Sequence, residues 1–322
     1  MRALRRTHDQ IRNGVRPVLE SVVLARHVHV RRGKNCRNDG PGHSLSRHAG
    51  TREPVLLGGM STVNDLLKVC ADLAEGGVLP YYTDEFVALY HADCLEVMAD
   101  MPDGSVDAVL TDPPYSSGGR RENSRSIRKS MLREYDDDEW IRGDAMSTNG
   151  FTWLLRMCGM QWRRVLVPGG HALSFIDWRM APVLSAALEA ADLRQHPMLV
   201  WDKKRIGMGA VFRNQHEFIV HMTAGNPRDP QRRDVGNVLG FAPIKGGDHP
   251  TEKPEPLLRT LLSVVTPPRG VVLDPFAGSG STLAAAKSLG MRAVGIESDE
   301  RWCEVVARKL DQMCLDFGAG RP

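Results

Sequence analysis

No apolar run in this chain of 322 residues approaches the length of a membrane-spanning helix, and no secretory-type apolar segment is present. None of the six cysteines forms a Cys-x-x-Cys pair, and no group of His and Cys has the spacing of a metal site. These absences argue against a membrane partner and a bound metal. The cysteine usage suits a reducing compartment, so we expect a cytoplasmic protein of a bacterium or a phage.

The first 59 residues differ in composition from the rest. They carry twelve basic and four acidic residues and five of the eleven histidines, with little periodic apolar pattern. This composition predicts a disordered basic arm, followed by a folded domain at 60–322. An alternative is upstream sequence translated from a misplaced start, because Met60 precedes a segment that predicts a capped helix through Leu73.

Helical and strand patterns alternate through the folded domain. Such alternation predicts an α/β fold with a mostly parallel sheet and helices on both faces. At 42% hydrophobic residues, the chain can bury a substantial core. The predicted strands are 86–90, 106–110, 172–176, 198–201, 218–221, 271–273 and 292–296, and the predicted helices are 157–167, 181–191, 282–289 and 299–313.

A strand, a glycine turn and a helix follow one another near the end of the chain. The apolar run 271–273 stops at Asp274, and Gly278 and Gly280 precede the helix formers that resume at Thr282. Glycine lets the backbone approach a ligand that a Cβ atom would push away. This pattern predicts a strand–loop–helix unit that binds a small molecule.

The residues after the glycine turn narrow the ligand class. The next predicted strand stops at Glu297, about 20 positions past the loop, where an acidic residue reads the hydroxyl pair of a ribose. A dinucleotide fingerprint would have a third small residue at position 283, which is Leu283 here. The pattern therefore favours a nucleoside-like cofactor over NAD.

A second motif, Asp112-Pro113-Pro114-Tyr115, follows the predicted strand 106–110. Ligands bind at the carboxyl edge of open α/β sheets, and two prolines fix the backbone there while leaving carbonyls free to accept hydrogen bonds. An aromatic amino group is a poor nucleophile because its lone pair is delocalised into the ring. The Asp112 carboxylate and the Pro113 carbonyl can accept its two hydrogens, while Tyr115 offers a ring face for stacking.

With these motifs the chain resembles the S-adenosylmethionine-dependent DNA amino-methyltransferases, which modify adenine N6 or cytosine N4. The catalytic motif precedes the cofactor loop here, which is the circularly permuted order of that family's beta group. The resemblance implies a Rossmann-like methyltransferase fold and a target base that is flipped out of the duplex. It also implies that Asp112, Pro113, Pro114 and Tyr115 form the catalytic loop.

The resemblance further implies which residues bind S-adenosylmethionine, with no metal required. The glycine loop would hold the methionine moiety, Glu297 the ribose, and Asp93 the amino group of the cofactor's base. The His249–Pro254 segment would close over the cofactor. The cofactor residues implied in this way are Asp93, Cys94, Thr251, Lys253, Asp274, Phe276, Ala277, Gly278, Gly280, Thr282, Glu297 and Ser298.

Basic residues cluster directly after the catalytic loop. Residues 116–133 hold six basic residues against one acidic residue, and a second basic stretch begins at Lys203. We expect contacts with double-stranded DNA here, with recognition loops around 116–150 and 203–245; the alternative is ordinary solvated surface. The expected DNA-binding residues are Arg120, Arg121, Arg125, Arg128, Lys129, Arg133, Lys203, Lys204 and Arg213.

The first residue of the catalytic loop bears on the choice of base. In the resembling family a Ser at that position tends to accompany cytosine N4, so Asp112 favours adenine N6. Cytosine N4, an RNA or protein-glutamine substrate, and a DNA-binding protein that has lost catalysis are the alternatives. A homodimer and a cognate restriction nuclease are further partners compatible with the resemblance.

Overall fold

The computed structural model describes residues 65–115, 146–207, 209, 211–244 and 252–318. Within these ranges the helices are α1 (Asp65–Glu75), α2 (Cys94–Asp100), α3 (Thr148–Val165), α4 (Ala181–Glu189), α5 (Glu255–Val265), α6 (Ser281–Ser288) and α7 (Glu300–Gly318). The strands are β1 (Tyr82–Thr83), β2 (Val87–His91), β3 (Val106–Thr111), β4 (Leu166–Ile176), β5 (Arg194–Gln195), β6 (Leu199–Asp202), β7 (His216–Thr223), β8 (Val238–Gly240), β9 (Val271–Asp274) and β10 (Arg292–Glu297). No described helix has the length and apolar character needed to cross a membrane.

The strands form one sheet in the order β1-β2-β10-β9-β3-β4-β7-β6-β8, with β5 paired to β7. Strands β2, β10, β9, β3 and β4 are parallel neighbours, whereas β7 runs antiparallel to β4 and β6. The sheet is therefore mostly parallel, as predicted. Because the parallel strands point the same way, their carboxyl ends and the start of β7 lie along one edge.

Helices cover both faces of this sheet. Leucines and valines of α1, α2, α3 and α4 pack with β3 and β10 in one buried cluster, and those of α5, α6 and α7 pack on the opposite face in a second cluster. Alternate side chains of a strand point to opposite faces, so Val294 joins the first cluster and Ala293 the second. The predicted three-layer arrangement is confirmed.

The observed helix and strand boundaries differ most from the predicted ones around β4. The predicted helix 157–167 begins earlier, at Thr148, where Ser147 caps it by accepting a hydrogen bond from the Gly150 amide at 3.1 Å. The strand predicted at 172–176 starts at Leu166, because the chain passes through a glycine turn and still pairs with β3 across an irregular register. Gly169 makes that turn with φ of 76°.

Candidate active site

The two loops predicted to bind ligands lie side by side. Strands β9 and β3 are parallel neighbours, and the Thr111 hydroxyl at the end of β3 donates a hydrogen bond of 2.7 Å to the Asp274 carboxylate at the end of β9. This bond joins the predicted catalytic loop, residues 112–115, to the glycine loop, residues 275–280; the name catalytic loop is kept for 112–115 below. A group held by one loop therefore lies next to a group held by the other.

The catalytic loop is organised around the Asp112 carboxylate. The Tyr115 hydroxyl donates to one carboxylate oxygen at 2.5 Å, and the Lys253 ammonium donates to the other. Burial and the neighbouring Asp112 charge raise the pKa of Tyr115 well above its usual value, so the phenol keeps its proton and remains a donor. Asp112 is held in one orientation from both sides.

Lys253 is almost fully buried, with 7% of its side chain exposed. Its ammonium lies 5.7 Å from the ring centroid of Tyr115 and 5.2 Å from that of Phe175. Burial by itself lowers the pKa of Lys253, but the Asp112 and Glu217 carboxylates outweigh this effect and raise it. The side chain is thus a fixed positive charge beneath the catalytic loop.

Glu217, at the start of β7, extends the charge pattern. Its carboxylate lies 3.7 Å from the Lys253 ammonium and 2.5 Å from that of Lys203. Burial raises the pKa of Glu217, but the two ammonium groups outweigh burial and lower it overall. We call the alternating series Asp112, Lys253, Glu217 and Lys203 the charge chain. It runs from the catalytic loop to the base of the β6–β7 hairpin.

The sequence assigned no role to Glu217 or Phe175. Glu217 faces the site because β7 is antiparallel to β4, which brings the start of β7 to the carboxyl edge. The strand His216–Thr223 also contains two histidines and a threonine, so its sequence did not set Glu217 apart. Phe175 sits in a predicted core strand and offered no signal.

The glycine loop approaches open space at one position and a helix at another. Gly278 has φ of 50°, and a Cβ atom there would meet only the Phe276 carbonyl, at 4.0 Å. Gly280 has φ of 74°, and a Cβ atom there would lie 2.8 Å from a methyl group of Val306. Gly278 therefore borders a space that a ligand can enter, whereas Gly280 lets α6 and α7 pack closely.

Glu297 braces the glycine loop from the neighbouring strand. One carboxylate oxygen accepts the Gly278 amide at 2.9 Å and the other accepts the Asp299 amide at 2.8 Å. Burial raises the pKa of Glu297 despite these hydrogen bonds. Ser298 is exposed, and its carbonyl lies 3.2 Å from Nε2 of His91.

Asp274 is fully buried at the start of the same loop. It accepts hydrogen bonds from the Thr111 and Thr282 hydroxyls and from the Phe276 amide. Burial outweighs these bonds and, with the nearby Asp112 charge, raises the pKa of Asp274 to about 6. Ala277 is buried, and its amide donates to the Ile296 carbonyl.

Two further predicted cofactor residues lie at the end of β2. Asp93 is exposed and caps α2 by accepting the Leu95 amide at 2.8 Å. The Cys94 side chain points into the core, where its sulfur is 3.9 Å from that of Cys158. Only the backbone of Cys94 is therefore available to a ligand at this edge.

Residue 252 fixes the segment that carries Lys253. The Glu252 carboxylate accepts hydrogen bonds from the Ser281 hydroxyl at 3.1 Å and the Lys309 ammonium at 2.6 Å. These bonds tie the segment to α6 and α7 beside the glycine loop. Thr251, the other residue predicted on this segment, lies outside the described residues.

The predicted DNA-binding residues divide into two groups. Lys203 pairs with Glu217, Lys204 pairs with Asp202 at 3.0 Å, and Arg213 donates to the Gly207 carbonyl at 2.5 Å. Lys204 and Arg213 are exposed. The second group lies outside the described residues and consists of Arg120, Arg121, Arg125, Arg128, Lys129 and Arg133. The predicted basic arm at 1–59 also lies outside the described residues.

No group of three or more His, Cys, Asp or Glu in the described ranges has the arrangement needed to hold a metal ion. The ionisable groups of the site instead pair with one another and with backbone amides. The arrangement offers carboxylate acceptors, an aromatic ring and a backbone cradle, all at one edge of the sheet. Such a site can position an amino group against a small molecule held by the glycine loop.

Comparison with known proteins agrees with this reading of the motifs. The family model N6_N4_Mtase, described as DNA methylase, matches residues 106–308. The protein named "Putative methylase YubD" of Escherichia coli (strain K12) is 35% identical over 218 residues, which make up 68% of this chain and 87% of that protein. The type II methyltransferase M2.DpnII of Streptococcus pneumoniae is 27% identical over 265 residues, covering 73% of this chain and 95% of its own.

Solved structures share the fold. The M1.HpyAVI–SAM complex has a TM-score of 0.53 at 21% identity and covers 70% of this chain and 98% of its own. The cytosine-N4-specific PvuII DNA methyltransferase has a TM-score of 0.55 at 14% identity and covers 72% of this chain and 95% of its own. These similarities confirm the predicted Rossmann-like methyltransferase fold. The family match over more than half of the chain and the 35% identity to YubD show that the chain belongs to the DNA methylase family of N6-adenine and N4-cytosine methyltransferases.

Proposed function

We propose that this DNA methyltransferase transfers a methyl group from S-adenosylmethionine to the exocyclic N6 of an adenine flipped out of double-stranded DNA. One observation carries the proposal: the Thr111–Asp274 hydrogen bond of 2.7 Å holds the Asp112 loop beside the glycine loop. The transfer requires a methyl donor and an amino nitrogen held in line, and positioning of that kind supplies much of the rate. Adjacent loops on adjacent strands meet this requirement.

The target amino group would be held by the catalytic loop. The Asp112 carboxylate and the Pro113 carbonyl accept its two N–H hydrogens, which draws the nitrogen lone pair out of conjugation with the ring. The base stacks on the Tyr115 ring, and stacking on the order of 1–3 kcal/mol offsets part of the cost of extrusion. The buried Lys253 cation donates to the same Asp112 carboxylate and so holds it in place as an acceptor.

The residues of the glycine loop fit S-adenosylmethionine. We assign the space beside Gly278 to the methionine moiety and the Glu297 carboxylate to the ribose hydroxyls; the open space at Gly278 and the position of Glu297 beside it support this assignment. Asp93, exposed at the end of β2, is available for the amino group of the cofactor's base. When bound, the cofactor supplies an electrophilic methyl group. The amino nitrogen held by Asp112 and Pro113 would accept that methyl group, with the demethylated cofactor as leaving group, and would give up one N–H proton to solvent.

Adenine is the proposed target because Asp begins the catalytic loop. Cytosine N4 is the alternative within the same family and uses the same mechanism. The relatives described above are bacterial proteins, which supports action in a bacterial cytoplasm. M2.DpnII is a type II methyltransferase, which supports a role beside a restriction nuclease.

Nucleoside analysis tests the proposal. Purified full-length protein is incubated with S-adenosylmethionine and unmethylated duplex DNA, the DNA is hydrolysed, and methylated nucleosides are identified by mass spectrometry. We expect N6-methyladenine with the wild type and none with Asp112→Ala, which should still bind the cofactor. Detection of N4-methylcytosine instead would change the assigned target base from adenine to cytosine. The absence of both products with cofactor-binding protein would overturn the proposal, and RNA is then tested as acceptor.

A further inference from the structure

The hairpin between β6 and β7 carries an apolar tip in solvent. The side chains of Val211 and Phe212 are 85% and 90% exposed, and Ile206 on the opposite arm is 59% exposed. Residues 208 and 210 of the hairpin lie outside the described residues. An exposed Phe flanked by exposed aliphatic residues is costly in water, so such a patch marks a contact surface.

Hydrogen bonds and a close backbone contact build this tip. The Gly207 amide donates to the Asn214 carbonyl at 2.6 Å, and the Lys203 amide donates to the Gln215 carbonyl at 2.9 Å. A Cβ atom at Gly209 would lie 2.0 Å from the Phe212 carbonyl, so the two arms touch there. The backbone therefore holds Phe212 away from the body of the protein.

The charge of the hairpin indicates its partner. Residues 203–215 hold four basic residues and no acidic residue. Lys204, Arg205 and Arg213 are exposed on the same hairpin as the apolar tip. An apolar side chain projecting between cations matches a polyanion with a stacked interior, which describes duplex DNA.

The position of the hairpin brings the tip to the same edge as the catalytic loop. β6 ends at Asp202 and β7 begins at His216, both at the carboxyl edge of the parallel strands. Lys203, at the base of the hairpin, is the member of the charge chain farthest from Asp112. DNA that places a base over the catalytic loop thus meets the hairpin.

We propose that the β6–β7 hairpin is a wedge that inserts Phe212 into the DNA duplex beside the target base, with Lys204, Arg205 and Arg213 on the flanking phosphates. The inserted ring fills the space that the extruded base leaves and unstacks the neighbouring step. This inference rests on the proposed function, because it assigns the hairpin to the extrusion step of that reaction.

The test measures duplex opening and methyl transfer separately. Opening is followed by permanganate reactivity of unstacked thymines in plasmid DNA bound by the full-length protein, and transfer is followed by labelled methyl incorporation. For F212A we expect loss of the permanganate signal and a drop of about tenfold or more in the transfer rate on duplex DNA. On the same sequence as single strands, the rate of F212A should approach that of the wild type, and F212W should restore the duplex rate.

The matched control is Met160→Ala, which removes an exposed apolar side chain, 50% exposed, from the outer face of α3. M160A should leave both signals unchanged. Unaltered opening and transfer in F212A would overturn the wedge. An equal loss on duplex and single strands would also overturn it, because the tip would then serve folding or a protein contact. If the wild type opens DNA, F212A does not, and neither transfers a methyl group, the proposed function fails while a duplex-opening role of Phe212 remains. If the wild type does neither, both proposals fail.

Discussion

The ammonium of Lys253 lies between two carboxylates, that of Asp112 in the catalytic loop and that of Glu217 on β7. Lys253 therefore reaches the group proposed to accept the target amine, although its motif implied a contact with the cofactor. The two roles have different kinetic consequences. A cofactor contact affects KM for S-adenosylmethionine, whereas a residue that positions Asp112 affects kcat.

Replacing Lys253 with Met separates these roles. Asp112 and Glu217 would each lose the cation between them, so we expect kcat to fall about a hundredfold from misplacement of Asp112. The free energy of unfolding should fall by about 3 kcal/mol, since breaking a buried ion pair leaves charge uncompensated. Steady-state kinetics and urea unfolding measure both quantities. Lys253→Arg keeps the positive charge, so its kcat and its free energy of unfolding should fall less than those of Lys253→Met. A raised KM for S-adenosylmethionine at unchanged kcat would instead assign Lys253 to the cofactor.

Alanine substitutions at the two glycines of the loop should affect cofactor binding and stability differently. Gly278→Ala places a methyl group in the open space beside the loop, so cofactor affinity should fall by at least about tenfold, while the positive φ costs about 1–2 kcal/mol of stability. Gly280→Ala adds a clash with Val306 and should destabilise the fold more. Calorimetric titration with S-adenosylmethionine and urea unfolding measure the two effects.

Gly290 provides the matched control for these variants. Its φ is 66°, yet a Cβ atom there meets nothing within 4 Å, and it lies after α6, away from the loop. Gly290→Ala should therefore cost as much stability as Gly278→Ala and leave cofactor binding intact. Equal losses of affinity in the two variants would contradict a ligand at Gly278. Replacing Val306 with Ala in the Gly280→Ala background should recover the part of the stability that the clash removes.

These glycines show why the sequence located much of the site. Glycine and proline mark loops locally, and flanking apolar runs mark strands, so Asp112 and Asp274 could be assigned to strand ends before any contact was known. Rules for α/β sheets then place such loops at one edge. Both steps use only short-range patterns.

Glu217 and the pairing of Lys203 could not be found in this way. Their meeting with Lys253 depends on β7 reversing direction beside β4 and on a segment 36 residues later in the chain folding back over the sheet. Neither fact leaves a periodic signature. The basic composition of the hairpin indicated a surface role for Lys203, whereas the structure pairs it with Glu217 at 2.5 Å.

The raised pKa of Asp274 predicts that cofactor affinity depends on pH. Asp274 has a pKa of about 6 in the folded protein, so it is largely protonated at pH 5 and ionised at pH 7.5. The cationic groups of S-adenosylmethionine favour the ionised form, and binding should tighten by about tenfold over that range with release of a proton. Titration calorimetry in buffers of different ionisation enthalpy measures both. Asp274→Asn should remove the part of the pH dependence of cofactor affinity that is due to Asp274. If the pH profile of affinity is unchanged in this variant, the dependence is assigned to Glu297.

A cluster of three histidines lies at the opposite edge of the sheet. Nδ1 of His171 on β4 is 3.0 Å from Nε2 of His221 on β7, and Nε2 of His196 is 2.9 Å from the Thr223 hydroxyl. Burial, followed by the neighbouring histidines, lowers the pKa of His171 to about 4 and that of His221 to about 3. The Arg194 charge also lowers the pKa of His196, whereas a backbone hydrogen bond at Arg228 partly opposes the lowering of the His171 pKa.

The histidine cluster predicts loss of stability in mild acid. Both depressed pKa values lie below the unfolded value of about 6.5, so the stabilisation is complete above that pH and is lost as pH falls toward 4 and then 3. The free energy of unfolding should drop on the order of 3 kcal/mol between pH 7 and pH 4.5, measured by urea unfolding. His221→Gln, which keeps a polar side chain, should reduce this slope, whereas His216→Gln, outside the cluster, should not. Parallel curves for His221→Gln and the wild type would show that other groups cause the acid dependence, because the cluster would then bind no extra protons on unfolding.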